Sequence, residues 1–184
     1  MEYILEYLNQ FLLFRNFIEV ILGLDNTLLL LIISLPVGFI LSLIFAIGRV
    51  SNSKLISKTI ASYIFVIRGT PLLVQIYLIY FGLGSVEFIR ESFLWYLLRE
   101  PFWCGVLALT INTVAYGSEI FRGGIQSVTK GQIESGLSLG FNKLMLLRRV
   151  ILPIALRKVL PSYGNELILM VKATSLVSLT TYME

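Results

Sequence analysis

Thr27 to Gly48 runs 22 residues without a charge. As a helix rising about 1.5 Å per residue it reaches roughly 33 Å, enough to cross the hydrocarbon core of a bilayer. Backbone amides at that depth have no water to bond, so the segment must satisfy them along its own helix. The rest of the chain is of the same kind. Over 184 residues it is 57% hydrophobic and 14% charged, with a mean hydropathy of +0.84, too apolar and too charge-poor for an ordinary soluble domain. The fold class expected is an all-α membrane protein, and lipid is the natural surrounding of most of the chain.

Further spans follow from the same reasoning. Residues 60–80 form a second candidate, interrupted by Arg68 and Pro71, and residues 102–118 a third, short but free of charge. The stretch 150–179 is apolar apart from Arg157, Lys158, Glu166 and Lys172. It reads as a fourth span with a polar and broken interior, because Pro153 and Pro161 each remove a helix donor. With no repeat and no Pro- or Ser-rich linker, residues 1–184 are taken as one transmembrane domain.

The composition also excludes chemistries. Histidine is absent, which removes the commonest general base, proton shuttle and metal ligand together. Cys104 is the sole cysteine, so neither a disulfide nor a thiolate metal site forms within one chain. No Gly-x-x-x-x-Gly-Lys-Ser/Thr loop occurs, so the chain does not cradle ATP phosphates in that way. An enzyme is not expected, nor is a cofactor, a metal or a nucleic-acid partner.

Loop charges orient the spans. Residues 1–26 hold Arg15 against Glu2, Glu6, Glu19 and Asp25, a pattern unlike a cleavable signal peptide. Residues 49–59 hold Arg49, Lys54 and Lys58 with no acid. Residues 83–101 hold Arg90 and Arg99 against Glu87, Glu91 and Glu100, whereas 119–149 hold five basic residues against Glu119 and Glu134. Basic loops stay inside, which places the N-terminus outside, 49–59 inside, 83–101 outside and 119–149 inside. The outer segment, with Phe88, Phe93, Trp95, Leu97 and Leu98 among its charges, reads as a helix lying in the outer interface or as an ordinary amphipathic connector.

The inner loop carries the most informative motif, Gly131-Gln132-Ile133-Glu134-Ser135-Gly136-Leu137-Ser138-Leu139-Gly140, followed after nine residues by Val150-Ile151-Leu152-Pro153. This resembles the "EAA" loop of ABC importer permeases: Glu-Ala-Ala, three residues, Gly, nine residues, then Ile-x-Leu-Pro. A short helix with small residues can sit closely in a partner's groove while Ile133, Leu137 and Phe141 anchor it, and Gly140 can end it in a left-handed cap. Ser135 and Gly136 stand where two alanines are usual, and Thr129 where closer relatives often have proline. Arg68-Gly69-Thr70-Pro71-Leu72-Leu73-Val74-Gln75, Glu119 to Ile125 and Asn165-Glu166 are similar to the polar amino-acid uptake permeases. The outer segment ending at Trp103 and Ser162 to Glu166 are most similar to the M-type subunit of arginine and histidine importers, with likeness over roughly residues 20–184.

The resemblance implies a type I importer permease core in the bacterial inner membrane, crossing it several times. About four of an expected five spans are present, with a final helix expected beyond residue 184. It implies an ATP-binding cassette ATPase dimer that receives the loop at Glu134, Ser135, Gly136 and Gly140, a second permease subunit, either a sister chain or a second copy, and an extracytoplasmic amino-acid-binding protein. The cargo implied is a polar, cationic amino acid, arginine first, with glutamine, histidine or opines as alternatives. A truncated structural or regulatory subunit unable to transport is the other reading.

Polar residues at membrane depth are the substrate candidates, since an ionisable group there costs roughly 2.5 to 3.5 kcal/mol on insertion scales and persists when paired or facing a cavity. Glu166 comes first, its carboxylate suited to a guanidinium or ammonium group. Asn165, Asn112, Thr70 and Gln75 are placed beside it. An internal pair of Glu166 with Lys172 or Arg68 is the competing assignment, and Arg68 can also snorkel to the inner interface.

Overall fold

The computed structural model describes residues 2–181, with side chains described for 25–177. Every regular element among them is helical. A long α1 (Glu2–Arg49) leads through a short turn to α2 (Lys54–Gly69), whose Ser53 cap accepts from the Ile56 amide. The chain then bends by 106° at Thr70 and Pro71 and resumes as α3 (Leu72–Tyr77), a π-helical turn (Leu78–Gly82) and α4 (Leu83–Ser85). Two single turns, α5 (Glu87–Arg90) and α6 (Trp95–Leu98), precede α7 (Pro101–Gln126). After it come α8 (Lys130–Ser138), α9 (Lys143–Leu146), a second π-helical turn (Leu147–Ile151) and α10 (Leu152–Thr181).

Helix α7 is the centre of the fold, buried on nearly every face between α1 and α10. Lipid tails are as apolar as leucine, so helices at this depth associate through close packing more than through hydrophobic burial. The contact lines reflect that. On α1 the buried positions Ser34, Gly38, Ser42 and Ala46 recur every four residues, while Ile32, Val37, Ile40 and Ile44 stay exposed on the other side. Gly38 lies so near α7 that a methyl there would come 2.7 Å from Thr113 Cγ2. A methyl on Gly117 would collide with Ser42, whose hydroxyl donates to the Thr113 carbonyl at 3.1 Å.

Helix α10 presents Ala155, Val159, Tyr163, Glu166, Met170, Thr174 and Val177 as one buried stripe, the three-to-four spacing of a single helical face. Tyr163 stacks on Phe121 and meets Phe39 edge to face, so an aromatic cluster ties α10 to α7 and α1. This stripe explains the first departure from the sequence reading. The break expected within 150–179 does not occur, because α10 continues through Pro161, its packing outweighing the one lost donor. The irregularity sits just before it, in the π turn 147–151.

Other boundaries differ too. The segment drawn as a single span over 60–80 is broken at Pro71. The third span, drawn to 118, extends through Glu119 and Arg122 to Gln126, because those two charges satisfy each other on the helix surface. The segment 83–101 holds separate helical turns in place of one interfacial helix. Among the described helices, Asp25–Arg49 and Pro101–Gln126 are long and apolar enough to cross a membrane, and the bent pair Lys54–Gly69 with Leu72–Ser85 makes a third if counted as one span. The side chains of Glu2, Glu6, Arg15 and Glu19, used to orient the N-terminus, lie outside the described residues.

Candidate functional site

The bend at Pro71 opens a cavity of about 480 Å³ against α7 and α10, lined by Arg68, Gly69, Thr70, Pro71 and Leu72 from the bend, Asn112 and Tyr116 from α7, and Glu166, Leu169, Met170 and Ala173 from α10. The spacing explains the lining. Asn112 and Tyr116 are one helical turn apart, as are Glu166, Leu169 and Ala173 in succession, so each set lies on one face.

Thr70 and Gln75 hold the bend open. Pro71 lacks an amide hydrogen, and a bent helix end leaves carbonyls without partners. The Gln75 carboxamide donates from Nε2 to the carbonyls of Ile67 (2.7 Å) and Thr70 (3.0 Å) and to Thr70 Oγ1 (2.9 Å). Its Oε1 in turn accepts from Asn112 Nδ2 at 3.2 Å, across to α7. Gln75 is therefore buried and committed to the backbone of the bend, and it does not line the cavity. Thr70 and Asn112 do both jobs.

Glu166 is 7% exposed and opens on the cavity, yet its side chain makes no hydrogen bond or ion pair among the described residues. Of the internal partners weighed from the sequence, Lys172 is exposed on another face, whereas Arg68 lines the same cavity and attracts Glu166 across it without a close ion pair, its guanidinium 4.9 Å over the Tyr116 ring. That cation–π contact is worth roughly 0.5–1 kcal/mol at an exposed site. Asn165 is placed elsewhere from its expected position. It is exposed and outside the lining, because adjacent residues on a helix do not share a face.

A second polar cluster lies further along α7. Glu119 accepts from Arg122 Nε and Nη2 (2.9 and 2.6 Å), and Arg49 Nε stands 3.5 Å from Glu119 Oε1. Arg49 also donates to Ser57 Oγ and to the Ser57 carbonyl, and Ser57 Oγ donates back to the Arg49 carbonyl. One carboxylate thus ties α1, α2 and α7 together. A cleft of about 450 Å³ beside it shares Arg68, Gly69 and Tyr116 with the upper cavity. A third, of about 350 Å³, shares Glu119 and reaches Lys158, whose Nζ donates to the Ser127 carbonyl at 2.6 Å, capping α7. The sequence reading missed Tyr116 and the Arg49–Glu119 pair. The turn spacing from Asn112 to Tyr116 was readable; a pair 70 residues apart was not.

In the inner loop, Thr129 and Gln132 form a reciprocal capping box that starts α8, a signature legible as Thr-x-x-Gln. Gly140 (φ +77°) ends it. Phe141 donates to the Gly136 carbonyl and Gly140 to that of Leu137, the double bond of a Schellman cap. Glu134, Ser135, Leu137 and Leu139 are exposed. Gly136 is buried against its own chain, where a methyl would come 2.5 Å from Leu146 Cδ1, so its small size serves the packing of α8 on the α9 region.

Comparison with known proteins agrees with this architecture. Residues 34–182 match the family described as binding-protein-dependent transport system inner membrane component. The chain is 47% identical over 172 residues to an octopine transport system permease protein of Rhizobium meliloti, covering 94% of this chain and 70% of that protein. It is 45% identical over 160 residues to the histidine/lysine/arginine/ornithine transport system permease protein of Escherichia coli K12, covering 86% of this chain and 67% of that protein. The crystal structure of an amino acid ABC transporter with histidines superposes with a TM-score of 0.73 at 42% identity, over 88% of this chain and 71% of that one. The chain belongs to the binding-protein-dependent transport inner membrane component family, as a permease subunit of an amino acid ABC importer.

Proposed function

We propose that this permease carries a cationic amino acid, arginine first, through the cavity beneath the Pro71 bend. The observation that carries the reading is Glu166, a buried carboxylate on the packing stripe of α10 that opens on a cavity and is neither hydrogen-bonded nor in a close ion pair among the described residues. Such a group is costly in a membrane unless a ligand or water meets it. The relatives named for octopine and for histidine, lysine, arginine and ornithine support a cargo with a basic nitrogen group. Asn112 and Thr70 line the same path, Gln75 positions them, and the two lower clefts continue it toward Glu119 and Lys158.

ATP acts through partners. Helix α8, with Glu134, Ser135, Leu137 and Leu139 exposed, docks in an ATPase groove, and Gly140 sets its exit direction; the ATPases' closure rocks the spans between two access states. An extracytoplasmic binding protein delivers the cargo and a second permease subunit completes the path. The end of α1, the bent pair about Pro71, α7 and α10 act as four spans with the N-terminus outside, following the alternation of loop charge.

Reconstitution with those partners in vesicles and measurement of ATP-dependent uptake tests the reading. Glu166→Gln is expected to cut uptake of arginine at least tenfold more than uptake of glutamine, about 1.4 kcal/mol in differential binding. Equal loss of both contradicts the cargo assignment. Gly140→Asp is expected to leave insertion intact and to uncouple ATP hydrolysis from uptake; unchanged coupling in that variant removes α8 from its role.

A further inference from the structure

The bent pair about Pro71, counted as one span, ends at Ser85, and α7 begins at Pro101. Residues 86–100 therefore join two span ends at one face of the bilayer. One side of this segment is fastened to the body of the fold: a methyl on Gly84 would come 3.3 Å from Trp95 Cη2, and Cys104 Sγ donates to the Leu98 carbonyl at 3.1 Å. The other side is bare. Phe88 and Phe93 are 83% and 85% exposed, and Leu94 and Tyr96 are exposed with them. Two arginines lie on rings of the same segment, Arg90 with its guanidinium 6.0 Å from the Trp95 centroid and Arg99 4.9 Å from that of Tyr96. Stacking of this kind keeps the donor edge of a guanidinium turned outward; Arg99 Nε also stands 3.6 Å from Glu100 Oε1.

We propose that residues 86–100 form a phospholipid-binding belt, lying in the headgroup layer with Phe88, Phe93 and Tyr96 inserted at the top of the acyl chains. Three observations favour lipid over protein as the occupant. Val74, Leu78, Phe81 and Val86 are exposed along the bent span and lead directly to Phe88, so the bare surface continues the apolar side of a span, at the level where aromatic residues settle. Arg90 and Arg99 are interspersed among the rings with Glu87, Glu91 and Glu100. That mixture complements a zwitterionic headgroup, phosphate to guanidinium and ammonium to carboxylate, whereas the core of a subunit interface is depleted of charge. A partner that docks and leaves would also return these rings to water in every cycle, while lipid is always present. The belt is built of two single turns, α5 and α6, which lie along the interface without a continuous amphipathic helix. Because it joins the bent span to α7, it sets the depth of both. The inference does not depend on which cargo is carried.

The test uses the permease assembled with its second permease subunit and ATPases in nanodiscs of phosphatidylethanolamine and phosphatidylglycerol, with cysteine-free partner chains. Cys104→Ser removes the native thiol and keeps a donor for Leu98. A nitroxide attached at Phe88→Cys, or separately at Phe93→Cys, is expected to be relaxed by oxygen more than by a water-soluble nickel chelate and to report a depth of about 5–10 Å into the headgroup and acyl boundary. Arg90→Gln and Arg99→Gln together are expected to raise the nickel accessibility of the Phe93 label. A label as open to nickel as one in water overturns the belt. So does a label shielded from both reagents, which means that a protein subunit covers the surface, and so does shielding that appears only when the binding protein is added. Phe93→p-benzoylphenylalanine, an aromatic replacing an aromatic, is read in parallel so that the outcome does not rest on the labelled variants. Irradiation is expected to give a permease heavier by one phospholipid; an adduct to another protein chain, or no lipid adduct, contradicts the proposal.

Discussion

Two acidic residues on neighbouring helices live in opposite circumstances. Glu119 on α7 is held by cations of its own chain, bonded to Arg122 and approached by Arg49, which is itself tied to Ser57. Glu166 on α10 is more buried, and among the described residues it has no hydrogen bond or close ion pair, only the attraction of Arg68 across the cavity. A saturated carboxylate holds helices in place; an unsaturated one at membrane depth is poised for something that enters. The difference separates the framework of the path from the path itself. It follows from placement, since Glu119 faces the junction of three helix ends whereas Glu166 faces the bend that Pro71 forces.

The contrast can be broken by substitution. The largest effect on stability is expected from Glu119→Gln, which strands Arg49 and Arg122 part-buried at the α1, α2 and α7 junction. A loss of about 1–3 kcal/mol is expected, below the figure for a fully buried pair because the site is partly open to solvent, and a thermal unfolding midpoint of the purified assembly checks it. Gln75→Leu comes next. It removes the donor to the Ile67 and Thr70 carbonyls and the acceptor for Asn112, at a cost of roughly 1–2 kcal/mol, and proteolysis at the bend should quicken. Asn165→Ala closes the series with a change within about 0.5 kcal/mol and unaltered uptake, because the side chain lies outside the cavity; a clear loss of uptake there would mean the wrong face of α10 has been assigned to the path.

Much of this was legible in the residues. The charge-free run 27–48 marked the C-terminal end of its helix to within a residue but not its start, since α1 begins at Glu2, and Gly140 marked the end of α8, since a left-handed cap there favours glycine. Glu166 stood out because an acid in an apolar run needs a reason. Other features depended on what packs against what. Pro71 announces a kink, yet its angle is set by Gln75 reaching back to α2 and across to Asn112, contacts that no local pattern contains. The prolines of α10 outweighed, in the sequence reading, the stripe from Ala155 to Val177 that in fact keeps the helix whole. Gly136 was assigned to a partner's groove on the strength of its motif, whereas Leu146 of its own chain occupies the space above it. Arg49 and Glu119 meet only because α1 and α7 pack side by side.

The central claim is that Glu166 is free for ligand and Glu119 is not. Arginine binding and the thermal midpoint, measured together on Glu166→Gln and Glu119→Gln in the assembled importer, test it most directly. The account expects Glu166→Gln to lose binding at least tenfold with its midpoint held or raised, and Glu119→Gln to keep binding within about threefold while its midpoint falls. Binding lost in Glu119→Gln with stability intact, or a Glu166→Gln variant that unfolds early and binds as before, would contradict it.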